Sequence, residues 1–327
     1  MNLIKEVLFN LRTPTILLFL SSCSETDKQE TNSSKFIESK ALSREAMQGM
    51  QTLEDGSTYS GEMLRGAPDG YGEKEFSNGD LYKGQFTKGL RHGHGTLRFK
   101  EDELLERYSG MWASDEWDGF GTLALRDGSR ITGKWKNNSL EYGNYEGSNG
   151  EIKSGKWEGN WDYLGEGYVR NEFGAQFSGK LSTNGEYERG FLQNSNGDIY
   201  TGNFFKNQYH GDGILVRNNG DKYVGRFANN LYNGMGTLNE NSGRMYSGQF
   251  KDGLPHGLGT LVDQNGVNYN GEWFEGVKQG NGKIDFGDGT SYTGQFRNGL
   301  AYEGKYDWGN GVETESYQDA EGNWKDR

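Results

Sequence analysis

Three observations predict an all-β fold: an elongated, single-layer twisted sheet of stacked antiparallel β-hairpins. A tyrosine-x-glycine-x-aromatic pattern recurs along most of the chain at a spacing of about 23 residues. A Gly-x-Gly-x-apolar pattern follows most copies, and an Asn-Gly or Asp-Gly pair separates many of them. Self-similarity at this period is the signature of a repeat architecture and is read before any local motif.

Composition agrees. Of the 327 residues, 53 are glycine, about one in six where about one in fourteen is usual. The glycines have no every-third-residue period and there are only 3 prolines, which excludes collagen. Hydrophobic content is low at 32%, yet aromatics supply 13%. Disordered chains are poor in aromatics, so this chain folds, with rings and glycines taking the place of an aliphatic core.

The first half of the unit reads Tyr82 to Phe86, Tyr108 to Trp112, Tyr200 to Phe204, Tyr223 to Phe227, Tyr246 to Phe250, Tyr269 to Trp273 and Tyr292 to Phe296. Degenerate copies begin at Tyr59, Ile131, Lys153 and Phe177, giving about eleven in all. The second half carries the pairs Gly93 and Gly95, Gly211 and Gly213, Gly234 and Gly236, Gly257 and Gly259, and Gly280 and Gly282. In a strand, alternate residues share a face. Tyr82, Gly84 and Phe86 therefore line one face, as do Gly93, Gly95 and Leu97, and glycine leaves room for a ring to lie against the neighbouring strand. Intervening residues such as Lys83 and Gln85 face water. Asn78-Gly79, Asp127-Gly128, Asn149-Gly150, Asn196-Gly197, Asn219-Gly220, Asn265-Gly266 and Asp288-Gly289 supply hairpin turn signals, because these residue types tolerate positive φ. One hairpin is marginal in water, whereas stacked hairpins share a continuous aromatic strip.

The unit resembles the MORN repeat over about residues 51–308. The resemblance implies a hairpin solenoid, association with proteins or membranes, and no catalytic residues within the repeats. Where MORN repeats accompany enzymes they precede a separate catalytic domain, and the 309–327 remainder, a cap or polar tail, is too short to be one. The chain is therefore expected not to be an enzyme and to need no cofactor.

Several segments depart from the pattern. The step from Tyr82 to Tyr108 is 26 residues, which places a longer acidic loop near Lys100 to Glu103. Copies between 131 and 190 are irregular. The last copy lacks the double glycine, as expected of a terminal cap.

The amino terminus reads differently. Residues 1–22 resemble a bacterial lipoprotein signal sequence, with Lys5 and Arg12 before an apolar stretch and Leu20-Ser21-Ser22-Cys23 in the place of the lipobox. The resemblance implies cleavage before Cys23, lipidation of its thiol and anchoring in a membrane. Ser24 in place of aspartate implies outer-membrane sorting in a bacterial cell envelope; an ordinary secretory signal would give an exported or periplasmic protein instead. The apolar stretch is shorter than the roughly 20 residues of a membrane span. Residues 23–50 form a polar tether, and 35–48 have the apolar spacing of a short amphipathic helix. Cys23 is the only cysteine, which excludes an internal disulfide.

Other chemistry is poorly supported. A formal net charge of −12 without basic runs argues against nucleic acid as a partner. The Gly-x-Gly pairs lack the βαβ context of nucleotide loops and are strand glycines. His92, His210 and His256 occupy one repeat position, filled elsewhere by Asp69, Asn233 and Gln279; His92 and His94 have no evident third partner for a metal. Acid clusters such as Asp115-Glu116 read as a solvated face. Trp112, Trp135, Trp157 and Trp273 match the core position, while Trp117, Trp161 and Trp308 fall outside it; if exposed, they would form a trough for sugars or peptide.

The leading expectation is thus a non-catalytic, membrane-tethered scaffold for protein partners. Alternatives are a module binding envelope glycans and an accessory subunit of an enzyme complex. The terminal strands offer a further contact, to a second copy of the chain.

Overall fold

The computed structural model describes residues 45–46, 50–158 and 162–326. Among them the chain is all β, in open antiparallel arrangement, and within each unit most strands pair with the one that follows. The contacts divide it into two compact units: the described residues of Met1–Asn149 with Lys156–Asp162, and Gly150–Gly155 with Tyr163–Arg327. The signal sequence, Cys23 and Trp161 lie outside the described residues.

The first unit begins with two short strands, β1 (Glu45–Ala46) and β2 (Gln51–Thr52). The ladder continues through β3 (Thr58–Leu64), β4 (Ala67–Glu75), β5 (Leu81–Thr87), β6 (Leu90–Arg98), β7 (Leu105–Ala113), β8 (Glu116–Leu125), β9 (Arg130–Lys136) and β10 (Ser139–Glu146). β11 (Ile152–Glu158) and β12 (Asp162–Arg170) span the boundary. The second unit contains β13 (Gln176–Leu181), β14 (Tyr187–Gln193), β15 (Ile199–Phe205), β16 (Gln208–Val216), β17 (Lys222–Ala228), β18 (Leu231–Asn239) and β19 (Met245–Lys251). It ends with β20 (Leu254–Val262), β21 (Asn268–Phe274), β22 (Val277–Asp285), β23 (Ser291–Arg297), β24 (Leu300–Asp307), β25 (Glu313–Gln318) and β26 (Trp324–Asp326).

Of the expected helix over 35–48 only Glu45–Ala46 lie within the described residues, and they pair with Met63 and Glu62 as an edge strand. One expectation is corrected. The Asn-Gly pairs are not the tight hairpin turns. Asn78-Gly79 sits in a wider loop in which Phe76 N–H donates to Asp80 O and Gly79 N–H to Phe76 O. Only the glycine of that pair has positive φ, and Asn78 Oδ1 instead accepts from Asp80 N–H, an asparagine turn closed by its own side chain. The two-residue turns with both residues at positive φ, the kind whose twist matches the strands, lie at the opposite end of the strands. Lys88-Gly89, Asn229-Asn230 and Asp252-Gly253 form them.

The strict alternation of faces also breaks once per hairpin. Gly84 pairs with Gly95 but Phe86 pairs with Arg91, so the register shifts between them. The bulge falls at Gly93, whose φ of 60° is left-handed and costs a glycine little. The extra loop after β6 is tied down rather than protruding freely. Asp102 accepts from the N–H groups of Leu104 and Leu105, and the Arg126 guanidinium caps the carbonyls of Phe99, Lys100 and Asp102.

Candidate functional site

The front face of each unit is the tyrosine face. A Cβ on Gly95 would lie 2.1 Å from Tyr82 Oη, and one on Gly84 would lie 2.4 Å from Gly95 Cα. The tyrosine ring thus folds down over a floor made by the two glycines, and its hydroxyl donates to Gln85 O at 2.9 Å. The same bond recurs from Tyr200 to Asn203 O and from Tyr223 to Arg226 O. A buried hydroxyl is therefore satisfied within its own strand. Loss of solvent pushes the phenols of Tyr59 and Tyr246 up to about 12, and shifts Tyr82, Tyr108, Tyr200, Tyr223 and Tyr269 upward for the same reason.

Most core aromatics serve two tyrosines. Phe86 meets Tyr59 and Tyr82 edge-on, at 5.3 and 5.0 Å. Trp112 meets Tyr82 and Tyr108 at 5.3 and 5.2 Å. In the second unit Phe227 joins Tyr200 to Tyr223, Phe250 joins Tyr223 to Tyr246, Trp273 joins Tyr246 to Tyr269, and Phe296 joins Tyr269 to Tyr292. Edge-to-face rings at such distances add about 0.5–1.5 kcal/mol per pair beyond burial. Where tryptophan fills the position its indole N–H reaches back to a glycine carbonyl. Trp112 donates to Gly95 O, Trp135 to Gly121 O, Trp157 to Gly143 O and Trp273 to Gly259 O.

The sequence reading missed one recurring position, two residues before the first glycine of each pair. Its side chain lies over the tyrosine as a lid. Trp117 stacks on Tyr108 at 4.4 Å, Tyr209 on Tyr200 at 3.9 Å and Tyr232 on Tyr223 at 3.8 Å. Arg91 lies 4.3 Å from the Trp112 ring and is paired with Asp115, while Lys278 Nζ lies 4.9 Å from the Tyr269 ring. Burial, and then Arg244, hold the Lys278 ammonium below the usual lysine range. The signal was a large residue at a fixed offset, concealed because proline, arginine, aromatics and lysine all fill it. At the end of the second unit the lid position is Ala301, and Trp324 packs against Tyr292 at 4.9 Å.

These lids remove the expected aromatic trough. Trp112, Trp117, Trp135, Trp157 and Trp273 are all buried, whereas Trp308 is exposed. Among the described residues no three His, Cys, Asp or Glu side chains gather as a metal site. His210 and His256 instead lie beside Phe205 and Phe274. The position they share serves the next turn: Asp69 accepts from Lys88 N–H and Gln279 from Asn298 N–H.

The back face carries the intervening residues. In the first unit a cross-strand row runs through Thr96, Ser109, Thr122 and Thr132, with hydroxyl contacts of 2.9 Å from Thr96 to Ser109 and 3.0 Å from Thr122 to Thr132. In the second unit Ile214 pairs with Val224 in that row. The neighbouring row exposes Met235 and Leu258 at 60% and 62%.

A single sheet whose front face is a shared ring ladder and whose back face is open to solvent defines a β-hairpin repeat protein. The MORN repeat model matches residues 59–81, 82–101, 108–130, 200–222, 223–239, 246–267, 269–291 and 292–313, more than half of the chain. The chain belongs to the MORN repeat family. Among solved structures it is similar to the SAS-4 (dCPAP) TCP domain of Drosophila melanogaster, in complex with a proline-rich motif of Ana2 (dSTIL). Identity is 15%, over 64% of this chain and 99% of that one, with a TM-score of 0.26. It is similar also to the wild-type TCP10 domain of Danio rerio CPAP, in complex with a peptide of Danio rerio STIL. There identity is 12%, over 75% of this chain and 92% of that one, with a TM-score of 0.20. No curated protein sequence matches the chain.

Proposed function

We propose that the protein is a non-catalytic scaffold, held at a membrane through a lipidated Cys23 and offering the back face of its second unit to a protein partner. The observation that carries this reading is the exposed apolar group Ile214, Val224, Met235 and Leu258. The solvated face of an antiparallel sheet is ordinarily polar, and apolar side chains exposed on it, here interspersed with Thr237 and Gln249, support a contact surface. Membership of the MORN family agrees, since such repeats are generally found in scaffolds that meet proteins or membranes. The lipobox-like Leu20-Ser21-Ser22-Cys23 and the following Ser24 support placement at the outer membrane of a bacterial envelope.

The test is affinity capture from solubilised membranes with mass spectrometry of what co-purifies. The natural chain should retain a defined protein that a Met235→Glu, Leu258→Glu double variant loses. Cys23→Ala should leave the membrane fraction while keeping the back face intact. Recovery of the same proteins by the double variant would sink the assignment of the surface, and a Cys23→Ala chain that stays in the membrane fraction would sink the tether.

A further inference from the structure

The back-face row changes character where it reaches β21. Register places Asn270 opposite Lys283 and Lys283 opposite Thr293, so the three side chains stand on adjacent strands, about 5 Å from one to the next. With Asn281 and the backbone of Gly271, Gly282 and Gly294 they line an open cleft of about 410 Å³. Before β21 this row offers Val224, Thr237, Ser247 and Thr260, with no charge, and beyond Thr293 it continues to Lys305, which is paired with Glu313.

The donors of the cleft are uncommitted. The side chains of Asn270, Lys283 and Thr293 make no hydrogen bond or ion pair among the described residues. Asn281, in contrast, is fixed at the rim. Its N–H and Nδ2 each donate to Glu272 Oε1 at 3.0 Å, and its Oδ1 accepts from Gln295 Nε2 at 2.5 Å.

We propose that this cleft binds a carboxylate-bearing sugar, a hexuronate unit of an acidic glycan. An ammonium without a counter-ion complements one carboxylate. The flanking amide and hydroxyl can both donate and accept, as the hydroxyls of a pyranose require. Gly271, Gly282 and Gly294 alternate with these residues and belong to the tyrosine face, so between the three side chains the back face is bare backbone on which a sugar ring can lie. Glu272 at the rim and Asp285, two residues beyond Lys283 on the same strand, admit one negative group but oppose a run of them, which disfavours an acidic peptide. The site goes beyond the scaffold reading and does not rest on it.

Calorimetric titration of the intact chain tests this, with a malto-oligosaccharide ending in a single glucuronate, the neutral malto-oligosaccharide of equal length and an oligoglutamate peptide as probes. Saturable binding of the glucuronate-bearing oligosaccharide alone is expected. Lys283→Ala should weaken it at least about tenfold, the loss expected for one charge-assisted hydrogen bond, and Lys283→Arg should largely restore it. Asn270→Ala and Thr293→Val should each weaken it by less, and Lys251→Ala should leave it unchanged. These positions pack no core, so circular dichroism should be the same for all variants. No saturable binding, equal binding by Lys283→Ala, equal binding of the neutral sugar, or tighter binding of the peptide would each overturn the proposal.

Discussion

The two units solve one packing problem with different residues. In the first, tryptophan dominates the ladder: Trp112 and Trp135 fill the shared position and Trp117 is a lid. The indole N–H groups of Trp112 and Trp135 are satisfied by the carbonyls of Gly95 and Gly121. In the second, Phe204, Phe227, Phe250 and Phe296 fill most of the shared positions and bring no polar atom, while Trp273 at another donates an indole N–H to Gly259 O. The aromatic lids there are Tyr209 and Tyr232, whose hydroxyls accept from Asn194 Nδ2 and Arg217 Nε. The geometry of the ladder is thus set by the tyrosine and the glycine pair, and ring size is negotiable provided each polar edge finds a partner. The back faces diverge more, hydroxyl-lined in the first unit and apolar, then polar, in the second.

The sharpest way to break the equivalence is to fill the glycine floor in each unit. Gly95→Val and Gly236→Val place a Cβ 2.1 and 2.3 Å from the oxygens of Tyr82 and Tyr223. Each should cost about 3 kcal/mol or more in denaturant unfolding followed by fluorescence. If one unit tolerated the change, the two ladders would not be built alike. Next in size, Trp135→Ala and Phe250→Ala should each cost about 3–5 kcal/mol. Trp135→Phe should cost only about 1–2 kcal/mol, for its lost hydrogen bond and part of its bulk. An equal penalty for the phenylalanine variant would mean that the first unit requires the indole.

Alkali probes both units together. The folded phenols of Tyr59 and Tyr246 titrate near 12, above an unfolded value of about 10. Their contribution is complete below about pH 10 and is lost as pH rises through about 12, at most roughly 2–3 kcal/mol for each. Tyrosinate absorbance should therefore rise together with unfolding. Ionisation at pH 10 with the fold retained would show the rings to be less enclosed. The smallest effect concerns the tight turns. Asn230 Oδ1 accepts from Tyr209 N–H at 2.7 Å, whereas glycine occupies the same place at Gly253 and Gly276 and donates only its own N–H to the preceding lid residue. Asn230→Gly should cost less than about 1 kcal/mol in the same unfolding assay.

The hairpin ladder, the tyrosine anchors and the core aromatics were legible because a ring alternating with glycine at a fixed period suits little but a strand that lays the ring over its neighbour. Turn placement was less so. Asn-Gly is a strong signal, yet Asn78 satisfies its side chain locally in a wider loop, while Lys88-Gly89 makes the tight turn with a weaker one. The lids escaped notice because Pro68, Arg91, Trp117 and Lys278 share a location rather than a chemistry. The cleft at Lys283 could not be seen in sequence, since it depends on the register that sets Asn270 and Thr293 on either side.

Because the core rings are shared between the anchors of successive hairpins, no repeat has a core of its own, and none has a natural beginning. A duplication or deletion of about 23 residues, wherever in the unit it is cut, recreates the same tyrosine-to-aromatic seam on both sides. Length in such a chain can therefore change by whole repeats without redesign of the interior, and inherited variation is free to accumulate on the back face.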